Sequence, residues 1–160
     1  TARLNELAFA PIDYRENAPV DEWSGDGGCG AQYFSQQAVA RLAPVAGFDF
    51  SDEMPFPERL IAVQEAMKAG DEKAAKIYDT IGACFGYAVA HYADFYEIEN
   101  LMTMGRVTSG EGGERLIAEA KRVLADEFPQ LHEALTFCEP SEQDKRHGQA
   151  VAAASLPALA

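Results

Sequence analysis

Between Glu72 and Tyr96 the chain sets Ala74, Tyr78, Ile81, Phe85, Ala88, Val89, Tyr92 and Phe95 at steps of three or four. That recurrence matches the helical turn of about 3.6 residues, so these side chains fall on one face. It predicts a long buried helix over 72–96, stopped from extending backward by Gly70 and capped by Asp71. Gly82, Ala83, Gly86 and Ala90 lie between the larger residues. Small side chains there let another helix or a sheet approach closely, so the rest of the fold is expected to pack around this one element.

The flanking segments alternate. Asn100–Met104 and Ala134–Cys138 read as short apolar strands, separated by an amphipathic helix from Glu114 to Phe128 that Pro129 closes. A last helix is expected over Ser141–Ser155. Helix, strand, helix, strand, helix from residue 71 onward implies an open α/β arrangement with parallel pairing. Upstream, Leu7–Ile12 reads as a strand, and residues 13–30 as a loop ending in Ser24-Gly25-Asp26-Gly27-Gly28-Cys29-Gly30. Tyr33 to about Ala46 reads as a helix that Pro44 ends early. An irregular acidic linker over Phe48–Pro57 follows, with Pro57 in the first turn of a helix carrying Leu60, Ile61, Val63 and Met67.

At 160 residues the chain has the size of one domain, or of half a two-lobed enzyme, and is read as a single unit over 1–160. A net charge of −13 is the wrong sign for neutralising phosphates, and Lys145, Arg146 and His147 form only a short basic patch. Direct nucleic-acid binding is therefore disfavoured. No apolar run approaches the ~20 residues of a membrane span. No leader pattern opens the chain, which begins with Thr1 and not Met and so reads as a fragment or processed product. Cys29, Cys84 and Cys138 are odd in number and widely spaced, which suits a reducing, cytoplasmic setting better than a disulfide framework.

Local signals for chemistry are few. The strand–glycine loop–helix unit over 100–128 is the best ligand signal, because a turn at the carboxyl end of a strand leading into a helix N-terminus favours nucleotides and anions. Gly105 lets a ligand approach the backbone, and Thr108 and Ser109 offer hydroxyls. The loop is neither a Walker motif nor a GxGxxG fingerprint, and Glu111 opposes a phosphate beside it. His91, His132 and His147 read as satisfied or solvated, and Cys84 as apolar filler in the long helix.

Taken in order, four stretches resemble the C-terminal half of the ROK family (repressors, open reading frames and sugar kinases) of the actin-like ATPase superfamily. They are Glu6-Leu7-Ala8-Phe9, Gly28-Cys29 with Tyr33 and Ser35, Leu101–Ser109, and Gly148-Gln149-Ala150; the helix after Gly70-Asp71 is similar to the family's long central helix. The resemblance implies an actin-like ATPase (ribonuclease H-like) C-terminal lobe, a short mixed sheet flanked by helices. It further implies part of an ATP-dependent hexose kinase, with ATP/Mg shared with an absent N-terminal lobe, the nucleotide near Gly105, Thr108 and Ser109, and the sugar on Glu6. A homodimer through this lobe is implied as well.

The departures are specific. Phe9 stands where the family has a sugar-binding histidine, and Ala31 where it has a glutamate. Glu22 and Ser24 occupy cysteine positions of its zinc cluster, so Cys29 is left without partners and zinc is not expected. Met104-Gly105 keeps half of a double glycine. The family's Asp-Gly-Gly phosphate loop and its base aspartate belong to the other lobe, so no catalytic residue is assigned. The alternative is a non-catalytic sugar-sensing, repressor or dimerisation module.

Overall fold

The computed structural model describes residues 7–138. Glu6, the expected helix over 141–155 and Gly148-Gln149-Ala150 lie outside the described residues. Within them the chain is α/β and mostly helical. The helices are α1 (Ala31–Phe34), α2 (Gln36–Ala46), α3 (Phe56–Lys68), α4 (Glu72–Ala93), α5 (Gly110–Glu127) and α6 (Pro129–Ala134). Two strands, β1 (Asn100–Met102) and β2 (Thr136–Cys138), complete the set with 3-10 turns at Leu7–Phe9 and Arg106–Thr108.

The expected long helix is α4. Asp71 caps it, its Oδ1 accepting the Lys73 N–H at 2.7 Å. Ala74, Tyr78, Ile81, Ala88, Val89 and Tyr92 are buried on its inner face, whereas Phe95 lies past its end and is exposed. Tyr78, Ile81, Leu60 and Leu116 are fully enclosed, and the three aliphatic side chains each contribute ~1.5–3 kcal/mol by leaving water. They share a core with Ala38, Val39 and Val63 of α2 and α3. A second cluster, Val89, Ala90, Leu124 and Leu135, joins the far end of α4 to α5 and the strands.

The small residues of α4 face α5. A Cβ added at Gly82 would stand 2.5 Å from the Leu116 carbonyl oxygen, and one at Gly86 2.9 Å from Val123 Cβ. The two helices are thus in contact through backbone, as the sequence implied.

β1 and β2 pair in parallel with Asn100 opposite Thr136, Leu101 opposite Phe137 and Met102 opposite Cys138. Among the described residues the sheet has these two strands, so it is parallel and not mixed. Leu101 and Phe137 turn towards the second core cluster. Asn100 and Met102 are exposed on the other side.

Several boundaries differ from expectation, and the helix expected from Tyr33 to about Ala46 is instead α1 and α2, interrupted by extended backbone at Ser35. Leu7–Phe9 is a 3-10 turn and not a strand, and Pro11, which lacks an N–H, makes only an isolated bridge to Cys29. Pro44 does not stop α2. It sits in the last turn, where it forfeits a single N–H bond, and Gly47 ends the helix in the left-handed region at φ 90°. α5 begins at Gly110 instead of Glu114. Pro129 opens α6 as its first residue, where a missing N–H costs nothing, and the chain turns at Phe128, whose φ of −132° and ψ of 55° are not helical.

Candidate functional site

Two regions carry the sequence-predicted residues. The first follows β1. Gly105 adopts φ 106°, ψ 160°, a conformation open only to glycine, and space beyond its Cα is empty to 4 Å. The Thr108 hydroxyl donates to the Gly105 carbonyl at 2.9 Å, which closes the 3-10 turn between them. Ser109 is the N-cap residue of α5, yet its hydroxyl accepts no cap hydrogen bond from the helix. Gly105, Thr108 and Ser109 are thereby brought into one tight turn at the carboxyl end of a parallel strand.

Neighbouring side chains add features that the sequence reading did not single out. Met102 and Met104 are both about half exposed. Arg106 is exposed, and its guanidinium makes no hydrogen bond or ion pair with the described residues, while its carbonyl accepts the Gln64 amide at 3.0 Å. Beneath the turn, the Tyr78 ring packs against Gly112 in the first turn of α5. Its buried hydroxyl has no hydrogen-bond partner. Burial pushes the Tyr78 pKa up to about 12, with the Gln64 side chain acting in the opposite direction.

The second region joins the segment after Leu7–Phe9 to Gly28-Cys29. Gly30 N–H donates to the Ala10 carbonyl at 3.1 Å and Ile12 N–H to the Gly28 carbonyl at 2.9 Å, so the segment just after Phe9 lies along the glycine loop. Gly28 sits at φ 67° against the Asp13 carbonyl, where any Cβ would collide. Cys29 is buried and unpaired. Ala31 is buried at the start of α1, and Phe9 leans on Trp23 with ring centroids 5.5 Å apart at 46°. Phe9 thus makes an aromatic contact, and Ala31 is enclosed.

Two carboxylates organise this loop. Asp13 accepts from Arg15 Nε at 2.9 Å and Nη2 at 2.7 Å, and from the Tyr33 hydroxyl. Those bonds, Arg15's first, hold its pKa well below the usual carboxylate range. The Arg41 guanidinium lies 5.1 Å from the Tyr33 ring centroid. Asp21, only 1% exposed, accepts at Oδ2 from the backbone N–H of Ser24 (2.8 Å) and Trp23 (3.1 Å). Its Oδ1 accepts from the Gln37 amide at 2.7 Å and the Gln32 amide at 3.2 Å. These donors, with Ser24 N–H foremost and Gln37 next, lower its pKa to about 2. The segment from Tyr33 to Ser35 is occupied structurally: Tyr33 holds Asp13, and the Ser35 hydroxyl accepts the Gln37 N–H to cap α2.

Trp23 is the residue that sequence reading passed over. It is 83% exposed although its backbone is pinned by a buried carboxylate. The available signal was local: in Asp-x-Trp-Ser an aspartate can accept N–H groups two and three residues on.

Elsewhere, a shallow cleft of about 620 Å³ lies between the carboxyl ends of α4 and α5, lined by Tyr87, His91, Asp94, Glu127 and Phe128 among others. It is lined by none of Gly105, Thr108, Ser109, Phe9, Trp23 or Gly28. His91 there shares a 3.4 Å contact with the Tyr14 hydroxyl. Among the described residues no set of three His, Cys, Asp or Glu is placed to hold a metal ion, and no helix is long and apolar enough to cross a membrane. Neither any protein-family model nor any curated protein matches the chain.

Proposed function

We propose that the chain is the C-terminal lobe of an ATP-dependent, ROK-type hexose kinase with an actin-like ATPase fold, contributing nucleotide and sugar contacts but not the catalytic base. One observation carries the reading: the carboxyl end of parallel strand β1 opens directly onto an unobstructed glycine turn and the start of an 18-residue helix. Open α/β sheets place ligands outside the carboxyl ends of their strands. Met102 and Met104 offer an adaptable apolar strip for a planar base. Arg106 supplies a positive charge that offsets Glu111 beside a phosphate. Magnesium would need carboxylates and phosphate oxygens together. In this reading the nucleotide phosphates and the other lobe hold the ion together. The exposed Met102 side of the strand pair supports the lobe reading, because parallel strands are ordinarily covered on both faces.

Calorimetric titration with ATP and ADP in the presence of Mg²⁺ tests the proposal. Saturable binding is expected, abolished in Gly105→Val and weakened about tenfold or more in Arg106→Ala, the scale of a charged hydrogen bond. Nucleotide binding that survives Gly105→Val unchanged would remove this site.

A second reading, a non-catalytic sugar-sensing or dimerising module, is favoured by the apolar Phe9 and buried Ala31. It predicts sugar binding or self-association with no response to nucleotide.

A further inference from the structure

We propose that Trp23 and Phe9 form a stacking platform for the C–H face of a hexopyranose; this rests on the sugar-binding half of the reading above and names how that sugar is held. An indole 83% exposed presents a large apolar face to water. Solvent-facing tryptophans usually gain by being covered. The backbone that carries it is also pinned. Asp21 is buried with four accepted hydrogen bonds, two of which fix the N–H groups of Trp23 and Ser24. The hairpin is closed by Asp21 N–H to the Asp26 carbonyl and Gly25 N–H to the Asp21 carbonyl, both at 2.9 Å. Burying a carboxylate is costly unless every oxygen is satisfied, and here that arrangement immobilises a loop whose largest side chain points outward.

The chemistry of the surroundings selects the ligand class. The rings of Phe9 and Trp23, 5.5 Å apart and tilted by 46°, make an open corner and not a closed stack. Glu22 and Asp26 flank Trp23 in the same loop, and their exposed carboxylates make no hydrogen bonds with the described residues. Apolar rings bordered by free acceptors suit a molecule with C–H groups on one face and hydroxyls around its edge. Stacking substitutes here for the directed hydrogen bonds that Phe9 and Ala31 cannot make.

Trp23 is the chain's single tryptophan, so its emission reports on this platform alone. Glucose, galactose, mannose and N-acetylglucosamine would be titrated into the 160-residue chain, reading tryptophan emission, acrylamide quenching and heat. At least one sugar is expected to shift emission to shorter wavelength and protect Trp23 from quenching. Trp23→Ala is expected to weaken that sugar about tenfold by calorimetry, with Trp23→Phe in between. Its urea midpoint should match the unsubstituted chain's, which separates lost stacking from lost folding. Sugar heat with unmoved emission and unchanged affinity in Trp23→Ala overturns the platform while leaving the kinase-lobe reading. Protection that grows with protein concentration and ignores sugar assigns the surface to a second copy and overturns it too. Nucleotide binding with no sugar response removes the platform alone, whereas silence to both ligands removes the reading beneath it.

Discussion

Replacing Gly82 with alanine opposes two effects of known size. In a helix interior alanine is favoured over glycine by about 0.8–1 kcal/mol, so propensity alone makes Gly82→Ala stabilising. The packing of α4 on α5 says otherwise. The new methyl would lie 2.5 Å from the Leu116 carbonyl oxygen and 2.7 Å from Glu119 Cβ. The first contact is backbone and cannot rotate away, so α5 itself must retreat by several tenths of an ångström. Overpacking of this kind costs about 1–3 kcal/mol. The net expectation is a loss of about 0–2 kcal/mol, read as a lower urea midpoint at unchanged slope. Gly86→Ala meets Val123 Cβ at 2.9 Å and the Ala120 carbonyl at 3.0 Å, and should cost less. Once α5 has moved for one methyl, the second is partly accommodated, so the double variant should fall short of the sum. Stabilisation of Gly82→Ala by the full propensity gain would refute the close approach of the two helices, and with it the role of the small residues in α4.

Asp21→Asn should cost stability and flatten the acid response: the Asp21 pKa is lowered to about 2, so its contribution is complete above the unfolded value near ~3.9 and is lost as pH falls through about 2. Urea midpoints measured from pH 5 downwards would show a steeper decline in the parent than in the variant, and equal slopes would count against the network. Tyr78→Phe should be neutral or stabilise by up to about 1 kcal/mol, because the hydroxyl it removes is buried without a partner; a thermal scan showing clear destabilisation would mean that the hydroxyl is bonded after all.

What could be read from sequence follows from how local the cause is. α4 was legible because its apolar period persists over several turns, and its cap because Asp71 acts on Lys73 two residues away. Parallel pairing of β1 and β2 was legible from the alternation of element types alone. Leu7–Ile12 misled because a brief apolar run has no period to distinguish strand from turn, and Pro11 weakens either reading. Helix α6 was hidden because proline both stops and starts helices, and only the chain's direction afterwards decides which. The site residues divide in the same way. That Gly105, Thr108 and Ser109 share one turn was legible, because they lie within five residues of each other. The Asp21 network was not, since Gln32 and Gln37 reach it from α1 and α2, and only the fold brings them there.

The two candidate ligand regions are held at opposite ends of one helix. Tyr78 of α4 packs under the turn at Gly112, and the Tyr92 hydroxyl reaches the Ala10 carbonyl at 3.4 Å beside the second region. At about 1.5 Å per residue these anchors stand roughly 20 Å apart along the helix axis. A nucleotide base at Gly105 and a sugar at Trp23 would therefore not touch, and the polyphosphate between them would have to be held by structure that the described residues do not supply. Coupling between two ligands requires each to alter the free energy of binding the other. Ligands held that far apart share no contact through which to do so. Nucleotide and sugar should accordingly bind this chain independently, each with an affinity that changes less than about twofold when the other is saturating. Tenfold coupling in the isolated chain would place the two ligands in contact and show that one of the two regions has been assigned to the wrong end of α4.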